Sequence, residues 1–300
     1  GQYDIDLVYL WVDGSDEEWL NKKKQFLGED VNHNTEATSK ARNADNNELI
    51  YSLRSVEKNA PWIRKIFIVT DGQKPKWLNL QNDRVEIVDI RELIPPEALP
   101  CYNSVIIEHS LYKIPGLSEH FLYSNDDMFI NTEVSPDFFF TKEGLPIVRL
   151  QRTHSNKWLN RFRRVLKMHT NIYRKTIERA ALLIDERFGK YYSGIPHHNI
   201  DSYLKSDYQR ASDEVFRQEI GATITHHYYA FAVGKGRLRY VTRNESCRIR
   251  LHKPNFMYFI KKYNPYLFCL NDSHHATDAD RARVEPFLNS LFPTKSSFEL

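Results

Sequence analysis

The chain has 300 residues, of which 41% are apolar and 27% charged, enough for one sizeable core under an ordinary surface. A formal net charge of +3 is too small to argue for a nucleic-acid partner. Three cysteines without a CxxC pair argue against a disulfide framework or a cysteine-rich zinc site and point to a reducing compartment. Neither a bilayer-spanning apolar run nor a signal-peptide pattern is visible.

In chain order, 5–12 (IDLVYLWV) reads as a buried strand, and GSD after it as a turn. A polar stretch over 15–41 is expected to hold a short helix from Glu17 to Phe26. Asp45 and Glu48 have capping-box spacing, and Leu49, Leu53 and Val56 share one face of the helix that follows, which Pro61 ends. Strands are expected at 65–70 and 85–90, a helix at 103–113, and a strand at 121–124 running into Asn125-Asp126-Asp127. This alternation implies a three-layer α/β domain with a mostly parallel sheet. Ligands of such sheets gather beyond the carboxyl ends of the strands, where Asp13, Asp71 and Asp126-Asp127 fall. Asp71 reads as an ordinary turn residue; the Asp126-Asp127 pair does not.

The expected organisation is a single catalytic domain, with 1–150 as the α/β core, 151–240 as a mainly helical insertion, and 241–300 returning to complete the site. Segment 156–188 predicts one long helix or two shorter ones. An apolar stripe is expected through Trp158, Phe162, Val165, Leu166, Ile172, Tyr173, Ile177 and Ile184, and the remaining faces carry Arg and Lys. Those cations suit an anionic polymer or lipid headgroups, or simply a solvated face.

Two adjacent carboxylates in a loop after a strand can converge on a hard cation, and magnesium fills the rest of its shell from phosphate oxygens. Histidine doublets stand at 197–198, 226–227 and 274–275, none at the spacing of a helical zinc site. His197 follows Pro196 in a predicted loop, where it could take a proton from a hydroxyl. Arg42 and Arg210 could each fork onto phosphate oxygens. Residues 268–272 (FCLND) repeat the strand-then-acid pattern and offer Asp272 as a further ligand or base.

These blocks together resemble the Stealth family of sugar-1-phosphate transferases, which includes bacterial capsular-polysaccharide phosphotransferases and the catalytic subunits of the lysosomal N-acetylglucosamine-1-phosphotransferase. The matching stretches are DIDLVYLWVDGSD (4–16), the long block from 41 to 131, a looser third block from IPHH (195–198) to HHYYA (226–230), and FCLNDS (268–273) with LFPTKSSFEL (291–300). The resemblance implies a glycosyltransferase-A-like fold and donor contacts from Trp11, Asp13, Gly14, Arg42, Asp45, Asn46 and Asn103. It also implies metal binding by Asp126 and Asp127, with Asp272 as a further ligand, and catalysis by His197, Arg210 and Asp272. Glu108 falls in the helix before the metal strand. Asp13 stands where the family usually has Asn.

The implied reaction moves a hexose-1-phosphate, an N-acetylhexosamine-1-phosphate in the first instance, from a UDP-sugar to a hydroxyl of an oligosaccharide or polysaccharide acceptor. It uses Mg2+ or Mn2+ and releases UMP. The implied setting is capsule or wall polysaccharide synthesis in the cytoplasm, with peripheral contact at the inner face of the bacterial membrane. Two alternatives stay open: a metal-dependent glycosyltransferase that releases UDP, and a carbohydrate-binding module without activity.

Overall fold

The computed structural model describes residues 3–28, 47–153, 156–166, 172–219, 226–253, 256–272 and 275–300. Eleven strands lie among them: β1 (Ile5–Leu10), β2 (Ile66–Thr70), β3 (Val85–Asp89), β4 (His120–Asn125), β5 (Met128–Ile130), β6 (Ile147–Gln151), β7 (Ile195–Pro196), β8 (Asp201–Leu204), β9 (Arg237–Tyr240), β10 (Ser246–Arg250) and β11 (Leu267–Asn271). The α-helices among the described residues are α1 (Glu17–Leu27), α2 (Glu48–Asn59), α3 (Ser104–His109), α4 (Lys157–Val165), α5 (Ile172–Phe188), α6 (Lys205–Arg210), α7 (His227–Ala232), α8 (Phe256–Tyr263), α9 (Asp278–Ala282) and α10 (Val284–Leu291).

The main sheet has the order β3-β2-β1-β4-β8, parallel except for β8 at its edge. Alternate side chains of the central strands serve different cores, because successive strand residues face opposite ways. Leu7, Tyr9, Ile66 and Ile68 pack with Leu49, Leu53 and Val56 of α2, while Val8, Phe67 and Val69 pack with Ile107 of α3 and with Leu111. A sheet covered on both faces reads as continuous apolar runs, as β1 and β2 do. This is the three-layer α/β arrangement expected.

Helix α2 begins at Glu48, with Asn47 as its N-cap in the left-handed region at φ 57°. Asp45, the expected cap, lies outside the described residues. The helix does more than fill the core. Ser52 Oγ donates to the Met128 carbonyl at 2.6 Å, Ser55 Oγ accepts from the Ile130 amide at 3.1 Å, and Asn59 Nδ2 donates to the Ile130 carbonyl at 2.6 Å. Positions 52, 55 and 59 share one helical face, so a polar stripe holds β5 in place just after the Asp126-Asp127 turn.

Stretch 151–240 is less helical than expected. It contains α4 to α7, but β7 and β9 flank β6, and β8 joins the main sheet antiparallel to β4. In the return segment β11 pairs with β5, and the Leu270 amide donates to the Asp127 carbonyl at 2.9 Å.

Candidate active site

Two cavities open at the carboxyl edge of the main sheet, on either side of β1, where Leu10 is in register with both Val69 of β2 and Asn125 of β4. The larger, about 600 Å3, has Trp19, Asp71, Gln73, Arg91 and Tyr102 in its walls. Trp19 Nε1 donates to Asp71 Oδ2 at 2.9 Å, and the Trp19 and Tyr102 rings meet edge to face. Asp71 is therefore more than the turn residue read from the sequence. Gly72 after it sits at φ 66°, the left-handed conformation that glycine adopts freely. Asp13 exchanges two 2.9 Å hydrogen bonds between its backbone and the Gln73 amide, and its carboxylate accepts from the Ser15 amide at 2.9 Å. Asp13 and Gly14 thus build the turn between β1 and α1 that borders this cavity.

The Trp11 ring is buried in the core rather than turned toward a ligand. Asn103 caps α3, its side chain accepting from the Val105 amide at 3.0 Å. Arg42, Asp45 and Asn46 lie outside the described residues.

The smaller cavity, about 90 Å3, lies between the end of β4 and the start of β8, and Glu108, Asn125, His197, His198, Asp201 and His227 are in its wall. Asp201 organises it. Asp201 Oδ1 is 3.2 Å from His197 Nε2, and Oδ2 is 3.0 Å from His227 Nε2. Burial alone would push Asp201 upward; His227 and His197 outweigh it and hold the carboxyl well below its usual range. His197 Nε2 also lies 3.2 Å from the Ile200 carbonyl. Both neighbours of Nε2 are acceptors, so in the neutral imidazole the proton sits on Nε2 and the lone pair on Nδ1. Nδ1 of His197 and Nδ1 of His227 are both buried without a hydrogen-bond partner.

Asp127 lies nearby. Its Oδ2 is 4.0 Å from His198 Nε2, and its Oδ1 is buried and unpartnered. Burial pushes the carboxyl up to about 7, against the pull of its own backbone amide and of Arg248. Burial, aided by the Arg248 charge, lowers His198 to about 4, so it is neutral at pH 7. Glu108, half-buried and accepting from the Tyr123 hydroxyl at 2.7 Å, is pushed up to about 7 by desolvation. Glu108, His198 and Asp201 are perturbed groups in the wall of one cleft, with Asp127 beside it, which makes the cleft a functional-site candidate.

Two sequence-derived candidates do not join this group. Asp272 is gripped in a two-pronged ion pair by Arg281, at 2.9 and 3.1 Å. The β5–β11 register brings its backbone alongside, but its carboxylate is committed to α9. Asp201, four residues after His197, holds the imidazole instead. Arg210 is exposed, pairs with Asp207 at 3.2 Å and is absent from the walls of both cavities. Tyr208 lines the smaller cavity, and two residues further round the helix point about 200° away. Arg248 is likewise exposed and outside both cavity walls, but its field reaches Asp127 and His198; it lies on β10 in register with Cys269 of β11. Its alternating strand, SCRIR, held no motif that would have marked it.

Among the described residues, no three His, Cys, Asp or Glu side chains gather as a self-sufficient metal site. The orphaned Oδ1 of Asp127, with Asp126 beside it in the chain, fits a weaker demand: a magnesium ion that takes one or two carboxylates and completes its shell from a diphosphate.

Models of Stealth protein conserved regions 1, 2 and 4 match residues 3–30, 42–148 and 260–300. The capsular polysaccharide phosphotransferase fcs1 of Haemophilus influenzae is 34% identical over 294 residues, covering 90% of this chain and 78% of that protein. The exopolysaccharide phosphotransferases cps2G of Lactiplantibacillus plantarum and SCO6023 of Streptomyces coelicolor are 46% and 30% identical. Those matches cover 49% and 99% of this chain but 42% and 53% of the relatives, so the chain spans about half the length of either. A galactosyltransferase structure, LgtC with donor and acceptor sugar analogues, superposes with a TM-score of 0.48 at 12% identity, over 97% of this chain and 98% of the other. On the matched regions and the Haemophilus relative, the chain belongs to the Stealth family.

Proposed function

We propose that the protein transfers a sugar-1-phosphate from a UDP-sugar to a hydroxyl of an acceptor glycan in the synthesis of a capsular or cell-wall polysaccharide. The observation that carries this reading is the His197–Asp201–His227 unit facing the smaller cavity, with Asp127 Oδ2 4.0 Å from His198 of the same wall. It is a base with a fixed tautomer beside a carboxylate suited to a phosphate-bound cation.

In this reading the nucleotide occupies the larger cavity, with Trp19 and Tyr102 as aromatic surfaces for the base and the Asp71–Trp19 bond holding the wall rigid. The diphosphate then crosses the end of β1 toward β4, about 10 Å or two strand spacings away. His197 Nδ1 removes the proton of the acceptor hydroxyl, whose oxygen bonds to the β-phosphorus. The bond from that phosphorus to the bridging oxygen breaks, and UMP leaves. The sugar's anomeric C–O bond stays intact. Phosphoryl transfer asks a protein chiefly for positioning and charge stabilisation. Asp201 supplies the first by orienting His197, and Arg248 replaces Arg210 as the side chain for the second. Asp127 and Asp126 would hold magnesium, which neutralises diphosphate charge when bound.

The released nucleotide decides the matter. Incubation with UDP-N-acetylglucosamine, Mg2+ and an oligosaccharide acceptor should yield UMP together with an acid-labile sugar phosphodiester. Release of UDP would assign the site to ordinary glycosyl transfer, and sugar binding without turnover to a binding module.

A further inference from the structure

Helix α4, KWLNRFRRV, has four basic residues and no acidic one. Its placement reverses the usual amphipathic arrangement, in which the apolar stripe faces the core. The polar residues face inward. Asn160 is fully buried, and its Nδ2 donates to the Glu178 carbonyl at 3.2 Å and to the Tyr191 hydroxyl at 2.8 Å. Lys157 Nζ is 2.5 Å from Asp185 Oδ2, and Arg163 Nη1 is 3.7 Å from Glu178 Oε1.

The apolar residues face outward. Trp158 is 78% exposed, Phe162 58%, Val165 79% and Leu166 55%, at the i, i+4, i+7, i+8 spacing of one helical face. A contiguous apolar patch left in water with basic residues along it is not a neutral feature of a surface. Among the described residues no helix is long and apolar enough to cross a membrane.

We infer that α4 is an interfacial anchor that docks the protein on an anionic lipid bilayer. Trp158, Phe162, Val165 and Leu166 enter the headgroup–acyl boundary. Arg161 and Arg164 on the exposed flanks meet lipid phosphates. The charge decides the occupant: with Lys157 and Arg163 paired inward, the helix keeps Arg164 and Arg161, the latter 3.8 Å from Asp185, on its outer flanks beside an exposed Trp–Phe–Val–Leu face, and it carries no acid of its own, which matches an anionic bilayer surface. The inward ion pairs fix the helix in its outward-facing pose before any lipid is met. This anchoring is independent of the chemistry proposed above.

The test is co-sedimentation of the purified chain with vesicles of phosphatidylcholine alone and of equimolar phosphatidylcholine and phosphatidylglycerol. The chain should bind the anionic vesicles, with a blue shift in tryptophan emission that Trp158→Phe removes. The double variant Phe162→Ser/Val165→Ser should lower partitioning by about tenfold or more, with an unchanged circular dichroism spectrum. Arg161→Gln/Arg164→Gln should weaken binding to the anionic vesicles by about fivefold per charge. Absence of wild-type binding, or binding that the Phe162/Val165 variant leaves intact, overturns the inference. So does a dimer, detected by sedimentation velocity, that the same variant dissolves without any vesicle binding; it would assign the face to a second copy of the chain.

Discussion

The Asp201 carboxylate holds Nε2 of His197 at 3.2 Å and leaves Nδ1 buried without a partner. An aspartate that orients an imidazole selects the nitrogen that can act as base. An asparagine there can donate as well as accept, so the tautomer is no longer fixed. Asp201→Asn should lower kcat for UMP release by about 10²–10⁴-fold, with little change in the KM of the donor. Wild-type turnover in the purified, folded variant would remove the dyad from the mechanism.

The raised Asp127 carboxyl has a consequence for stability. Its folded value of about 7 exceeds the ordinary 3.8, so the folded state binds more protons between those limits. Stability contributed by the protonated form is present below about pH 4 and is lost as pH rises toward 7. Asp127→Asn removes that loss. The variant should gain melting temperature over wild type as pH rises from 4 to 7, with a constant gain above that, of up to about 7 °C. A difference independent of pH, followed by differential scanning calorimetry, would show that Asp127 does not titrate in this range.

The two arginines separate cleanly. Arg248→Ala should lower kcat by on the order of 10²-fold, the scale of a lost charge-stabilising donor. Arg210→Ala removes an exposed ion pair with Asp207 and should stay within about threefold of wild type. A reversal of this order would return Arg210 to the site.

The larger cavity can be probed without turnover. Asp71→Ala breaks the bond from Trp19 Nε1 and frees a wall of that cavity. UDP binding by calorimetry should weaken about tenfold, equivalent to one hydrogen bond in a half-buried setting. Unchanged UDP affinity would move the nucleotide elsewhere.

The polar stripe of α2 offers a structural test. Ser52→Ala leaves the Tyr9 hydroxyl and the Met128 carbonyl without their 2.7 and 2.6 Å partner. The cost should be about 1–3 kcal/mol in denaturant unfolding. It should also reduce turnover more than the distant core substitution Leu117→Ala at matched stability, because Met128 follows the Asp126-Asp127 turn.

The sequence by itself determined the elements whose signal is local. The apolar runs of β1 and β2, the α2 face, the strand leading into Asn125-Asp126-Asp127 and the α/β order were all legible, because periodicity and strand-end turns are written in consecutive residues. His197 was legible for the same reason, as a histidine after Pro196. Only the tertiary structure decided which side chains meet. Asp201 became the orienting group because β8 runs antiparallel to β4 and starts at the carboxyl edge of the sheet. Asp272 was diverted by Arg281, which follows only after the end of β11. Arg248 entered the field of Asp127 through pairing between β10, β11 and β5. The exposed face of α4 was fixed by Asn160, Lys157 and Arg163, whose partners lie on or beside α5. In each case the competing choices have the same local propensity. They differ in contacts between residues far apart in the chain, and those contacts set where each charge can be balanced.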